Sequence, residues 1–470
     1  MTTATTIQSR ISLSRSMPLA VIAVAAVMNK LKVVDFVDSG IRPVDTTTTG
    51  NATSERSGLR PLLVQQPDGP SFQISNGRDV AWQNWRFRVD YTPREGLVLH
   101  RIGYAQGNTV RPIIYRLSMS EIYVPYALPD PNWAWRSAFD IGEYNLGQYA
   151  NPLGTNVDVP ENAVFFDEVT ALDTDAFGAS FAVPHAAAMY ERDAGNLWDR
   201  LDPRTIERDA RFGRDLVVTA SYAIGNYTYA SEYIFHMDGS MSVRVHATGT
   251  TLNQGLSSNA DGDQFGATVA PNIGAPSHQH FFNFRIDFDV DGSANRVVEE
   301  NTVPVSSSAG NAFQTKPTVL TSEQARDANP ATTRSWVVES TSKVNALGEP
   351  TAYEVGDGDT AIPYSSATYE PLLHAPFAQH PLWVTRYNAA ELFAGGDYPF
   401  QGPAGDGLTA YAASPENVNG QDVVLWYTLG FTHRPAAENY PVMTNDTVGF
   451  EIKPDGFFDR DPALDAPRQP

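Results

Sequence analysis

The chain has 470 residues, no cysteine, and 54 acidic against 33 basic side chains, for a formal charge of −21. That balance argues against nucleic acid and anionic membrane surfaces as partners. The missing cysteines exclude disulfides, thiolate ligands and a cysteine nucleophile. Hydrophobic residues at 42%, with 35 Gly, 33 Pro, 23 Phe and 20 Tyr, read as a large, mainly β protein with a sizeable core.

In chain order, residues 1–16 are polar and rich in Thr and Ser, which by composition is a disordered tail. Pro18 to Met28 is an apolar run too short to cross a bilayer. Arg10 and Arg15 before it lend it some signal-peptide character. A β-hairpin is the preferred reading, with Val21–Val27 and residues 31–37 flanking an Asn29-Lys30 turn. Residues 45–54 form a Thr-rich linker and mark a boundary at about residue 48. From about Leu62 strand patterns are dense. Trp85, Phe87 and Val89, for example, alternate with Arg86, Arg88 and Asp90. Residues 321–329 are a candidate helix. No sustained amphipathic helix, internal repeat or glycine-rich phosphate loop is visible. The compartment is left open, with a soluble cytoplasmic protein favoured over a secreted one.

The chemistry concentrates in two late segments. His278 and His280 sit two apart in Ser277-His278-Gln279-His280-Phe281-Phe282-Asn283-Phe284-Arg285, so on a strand both imidazoles face one way. The apolar parity continues through Ile286, Phe288 and Val290, while Asn283, Arg285, Asp287, Asp289 and Asp291 take the other. This predicts a half-buried strand with both histidines on its apolar face. Downstream, Val423, Leu425, Tyr427, Leu429, Phe431 and His433 repeat the plan, with Asp422 on the opposite parity. If the strands are neighbours, three imidazoles meet on one side, a donor set that suits copper or zinc. Asp287, Asp289 and Asp422 then meet on the other. A lone His-x-His pair is more often core, and the third histidine moves the balance toward metal. Asp287-x-Asp289-x-Asp291-Gly292 imitates an EF-hand start, but its twelfth position is Val298 rather than Glu, so that reading is rejected.

These residues resemble the copper amine oxidases, the quinone-containing primary-amine oxidases, from about Lys32 to the C-terminus. Besides the histidines, the likeness is carried by Gln66-Pro67-Asp68-Gly69-Pro70-Ser71-Phe72, Arg94-Glu95-Gly96-Leu97-Val98-Leu99-His100 and Arg111-Pro112-Ile113-Ile114-Tyr115-Arg116. Near the end, Leu382-Trp383-Val384-Thr385-Arg386-Tyr387 and Gly456-Phe457-Phe458-Asp459-Arg460-Asp461-Pro462 extend it. The resemblance implies an all-β fold: a large antiparallel β-sandwich of the amine oxidase catalytic type over residues 49–470. Residues 1–48 would be a tail, a hairpin remnant of a preceding α/β domain and a linker.

The same resemblance implies site residues. His278, His280 and His433 become ligands of Cu(II). Ala223-Ile224-Gly225-Asn226-Tyr227-Thr228-Tyr229 aligns with the segment whose tyrosine matures to topaquinone, so Tyr227 is the precursor and Asn226 holds its orientation. Thr228 replaces the usual acid and Ala223 the usual Thr. Phe139-Asp140-Ile141-Gly142-Glu143-Tyr144 makes Asp140 the base. Ala138 takes the gate position, and Tyr126 the tyrosine that hydrogen-bonds the quinone. Val159 and Ala188 stand where many members carry a disulfide. Asp287 and Asp422, with Asp289 and the carbonyls of Phe288 and Val423, match a structural site for Ca2+ or Mn2+. Met443 is a candidate to pack beside the copper. The implied function is oxidative deamination of primary amines by O2 in a homodimer, giving aldehyde, ammonia and hydrogen peroxide. The alternative is a non-catalytic sandwich that binds copper or a partner. A zinc hydrolase ranks third, because the acid–base placement does not suit it.

Overall fold

The alternating strands assemble, in a computed structural model, into two antiparallel ten-stranded sheets. The structure describes residues 57–60, 64–130, 133, 136–171, 180–258, 264–356 and 358–468, with short strands at 4–5, 21–27 and 30–37. The first sheet runs Val164–Ala171, Ser180–Leu201, Arg208–Ile224, Tyr227–Phe235, Met241–Gly249, then Met443–Asp455, Pro350–Gly356, Ser335–Val344, Asn295–Pro304 and Phe313–Val319. The second runs Gln324–Arg326, Leu382–Arg386, Val423–His433, His278–Phe288, Thr109–Val124, then Gly96–Gln106, Trp85–Thr92, Asp79–Trp82 and Gln73–Ser75. Ala138–Phe139 pairs with the end of Thr109–Val124.

The inner faces of the two sheets form one core. Phe282, Phe284, Ile286 and Leu429 of the second sheet meet Tyr229, Tyr233, Val245 and Phe450 of the first. Edge-to-face ring pairs bridge the layers, Tyr229 to Phe282 at 5.5 Å and Phe284 to Phe450 at 5.5 Å between centroids. Such aromatic pairs add to the burial free energy that holds sandwiches together.

The hairpin strands Val21–Val27 and Lys30–Val37 pair antiparallel, as the sequence predicts, except that Lys30, expected in the turn, begins the second strand opposite Val27. Two other expectations are corrected. The His278–Phe288 strand is not half-buried, since all eleven of its residues are buried. Its polar face lies under a second apolar cluster that includes Leu372, Phe377, Ala394 and Leu408. Asn283 survives there by bonding Ser120 and Thr428, and Arg285 by bonding the Glu391 carbonyl and Asp287. Residues 321–329 are not helical. They contain the edge strand Gln324–Arg326, paired with Leu382–Arg386. Charges that resemble an exposed helix instead make long-range contacts: Glu323 accepts from the amides of Arg386 and Glu416, and Arg326 pairs with Glu299.

Candidate active site and metal centre

Local turn chemistry puts Tyr227 in place. Ile224 pairs with Tyr227 across a two-residue turn of Gly225 and Asn226. Gly225 has φ 60°, which a glycine at the first central position of a hairpin turn adopts without a Cβ penalty. Tyr227 and Tyr229 therefore open the strand on its inward face, nearly parallel and 5.9 Å apart. Thr228 takes the other face and pairs directly with Ala223. The two departures from the family motif are thus cross-strand partners.

The histidine strands are neighbours, and His278 pairs with His433. All three imidazoles are buried, with His280 fully so. Nδ1 of His433 lies 3.3 Å from Nε2 of His278. Two nitrogens each about 2.0–2.1 Å from a shared ion have this spacing near the tetrahedral angle. Nε2 of His280 and Nε2 of His433 are buried with no protein partner, a condition that ordinarily carries a cost. Burial drives the pKa of His278 down to about 3, with His433 adding repulsion against the opposing Pro276 carbonyl bond. Burial likewise puts His280 well below its ordinary value, with His278 and His433 adding to the shift. Nitrogen lone pairs that burial keeps unprotonated, as on His278 and His280, are what a metal ion requires. By chemistry the three-imidazole set fits copper, although no such group among the described residues is already arranged around an ion position.

The other sheet supplies what faces this cluster. The Tyr227 hydroxyl is 2.5 Å from Nε2 of His278, and the Tyr229 hydroxyl is 3.2 Å from Nδ1 of His280. Burial raises both phenols, Tyr227 further through Tyr126 and Tyr229 further through Asp140. Tyr126 bridges to His278 in the sheet, its ring 5.0 Å from the imidazole. Its hydroxyl bonds Asn226, and burial followed by the charge of Asp140 raises it. Asn226 also donates to the Thr250 carbonyl at 2.5 Å.

Asp140 is buried, and its carboxyl bonds the Tyr229 hydroxyl. A continuous path therefore runs from Asp140 through Tyr229 to His280. Sequence reasoning did not single out Tyr229. Its one signal was the strand parity it shares with Tyr227, which by itself reads as core. Ala138 pairs with Val124 at the strand that leads into Asp140.

The structure places the remaining candidates as follows. Met443 occupies the ladder row of Tyr227, with Gly249 between them. Val159 and Ala188 are buried in one apolar cluster with Tyr190 and Val217. Phe288 pairs with Val423. On the face away from the histidines, burial raises the Asp287 carboxyl to about 6, opposed by Arg285 and reinforced by Asp422 and Asp289. Asp422 is raised by burial and then by Asp289. Carboxylates that raise one another form a donor set a hard cation would relieve. Arg285 already bonds one of them, Asp287.

Comparison with known proteins identifies the family. Residues 73–470 match the copper amine oxidase enzyme domain. A histamine oxidase of Arthrobacter globiformis is 38% identical, over 92% of this chain and 64% of that protein. A primary amine oxidase of Arthrobacter sp. (strain P1) is 35% identical, over 94% of this chain and 68% of that protein. The chain spans 64% and 59% of the first two curated relatives it matches. A crystal structure of a copper-containing benzylamine oxidase from Hansenula polymorpha superposes with a TM-score of 0.84 at 32% identity, covering 89% of this chain and 66% of that one. With three buried imidazoles, a turn-borne tyrosine against them and a family match over most of its length, this chain belongs to the copper amine oxidases.

Proposed function

We propose that the protein oxidatively deaminates a primary amine, using Cu(II) held by His278, His280 and His433 and a topaquinone formed from Tyr227. The observation that carries this reading is the Tyr227 hydroxyl, 2.5 Å from Nε2 of His278 at the edge of a buried three-imidazole cluster. When present, the quinone takes up the electrons of the amine's α C–H bond and copper serves the oxygen-consuming half, so that amine, O2 and water give aldehyde, ammonia and hydrogen peroxide.

The protein's own residues do the rest. Asp140 is the base that accepts the α-proton, and its burial keeps water from competing for that role. The Tyr229 hydroxyl orients the carboxylate. Tyr126 and Asn226, bonded to each other, hold the Tyr227 ring in register with Asp140. Nδ1–H of His278 donates to the Pro276 carbonyl at 3.0 Å, which leaves the unprotonated Nε2 as the donor a metal would use. Asp287, Asp289 and Asp422, with the Phe288 and Val423 carbonyls, would hold Ca2+ or Mn2+ in a structural role. The working unit is a homodimer, as the family resemblance implies.

The test is to load metal-free protein with copper in air and treat it with phenylhydrazine. A coloured adduct and a mass shift in the peptide containing Tyr227 are expected. Unmodified Tyr227 in copper-replete protein would refute the oxidase reading and leave a copper-binding sandwich without turnover.

A further inference from the structure

Glu121 is a buried carboxylate that the chemistry above does not use. It lies on Thr109–Val124, opposite Asn283 in the ladder, and none of it reaches solvent. One oxygen, Oε1, accepts three amides: Ile122 at 3.0 Å, Ile141 at 3.0 Å and Gly142 at 3.1 Å. Ile141 and Gly142 are the two residues that follow Asp140. The other oxygen, Oε2, is buried without a partner.

The surroundings hold this carboxyl in one place. Arg94 covers the approach, donating to the carbonyls of Asp397 and Gly396 and stacking 3.6 Å over Phe393. Pro399 presses on Gly142, where a Cβ would come within 2.3 Å of its ring. Before Asp140 the chain is fastened by strand pairing at Ala138 and Phe139, and Asp140 itself donates to the Ile122 carbonyl. Beyond Asp140 the turn is tied to the sheet by Glu121. A base must sit within a fraction of an ångström of its proton, and a misplacement of about 1 Å costs roughly a hundredfold in rate.

We infer that Glu121 is a positioning residue for Asp140: its Oε1 clamps the amides of Ile141 and Gly142, and so fixes the turn that aims the base. The inference rests on Asp140 being the base. It makes the placement of an oxygen atom, not the charge on it, the operative feature. Burial pushes the Glu121 carboxyl up to about 7, against the opposing charge of Arg94 and the amide bonds, so a neutral group at this position is compatible with the fold.

Two conservative variants separate placement from charge. E121Q keeps an accepting oxygen at the same reach without the charge. E121D keeps the charge and withdraws the oxygen by one methylene. Each is loaded with copper beside the wild type and D140N. Amide hydrogen exchange is read at Ile141 and Gly142, quinone by phenylhydrazine titre, and peroxide release on the fastest of methylamine, putrescine, histamine and benzylamine.

The expected result is that E121D loses at least tenfold of its exchange protection at Ile141 and Gly142. It keeps its quinone titre and the protection around Tyr227, and loses roughly a hundredfold in kcat/KM, with a larger isotope effect on the α-deuterated amine. E121Q stays within about tenfold of wild type by every measure. Unchanged protection in E121D overturns the proposal, as does E121Q failing as badly as E121D. Wild-type turnover by E121D while D140N is inactive also overturns it. If D140N itself turns over normally, the base assignment falls instead, and the exchange data alone decide whether Glu121 clamps the turn.

Discussion

At the scale of single residues, burial disfavours the charged forms of His278, His280, Tyr126, Tyr227 and Tyr229, and the buried Asp140 is set against them. Asp140→Asn is nearly isosteric and cannot accept a proton at neutral pH. We expect it to bind copper and form quinone, yet to release peroxide on the order of 10²–10⁴-fold more slowly. Normal peroxide production would show that another group takes the proton. Tyr227→Phe removes the hydroxyl that meets His278, so copper should remain by elemental analysis while the protein stays colourless and inactive. His433→Ala removes the nitrogen 3.3 Å from His278. Copper retention and quinone should fail together in this variant, and full copper occupancy would count against the three-imidazole site.

At the scale of elements, the hairpin that starts with Tyr227 joins catalytic precision to the family departures. Thr228 pairs with Ala223 and stands on the face turned away from Tyr227. Thr228→Asp should therefore alter which amine is preferred more than it alters quinone yield, measured as relative kcat/KM over an amine panel beside phenylhydrazine titre. A collapse of the titre with unchanged preference would place Thr228 in cofactor formation instead. The parity of the histidine strands was legible because one of their faces is uniformly apolar, and their adjacency follows the same register. The burial of the second face was not legible. It comes from irregular Pro- and Gly-containing segments around residues 371–408, which carry no periodic signal. Glu121 was hidden for the same reason. In Ser118-Met119-Ser120-Glu121-Ile122 it reads as a solvated face, and only the distant turn at Asp140 and the Pro399 segment bury it. Residues 321–329 misled because their charges match a helix surface while their partners lie more than 25 residues away, as with Arg326 and Glu299.

At the scale of the whole molecule, the sandwich brings its chemistry together from both layers. One sheet carries the imidazoles and the other the tyrosines, so their distance depends on the interlayer packing. Phe284 is fully buried at that interface, against Tyr233 and Phe450. Phe284→Ala should cost about 3–5 kcal/mol by leaving a cavity between the sheets. The proposed second cation site tests a different feature, the outer face of the same two strands. Asp287 lies on the strand that bears His278, at the parity opposite the histidine, and Asp422 immediately precedes the strand that bears His433. A cation there would tie the covering segments to the sheet without touching the copper ligands. Asp422→Ala should therefore lower the melting temperature by about 1–2 °C, a change of order 1 kcal/mol for a domain of this size, with copper content unchanged. Added Ca2+ should raise the melting temperature of the wild type and leave the variant where it is. If the variant instead lost copper and kept its melting temperature, the two faces of the strand pair would not be independent, and the carboxylate cluster would belong to the copper site.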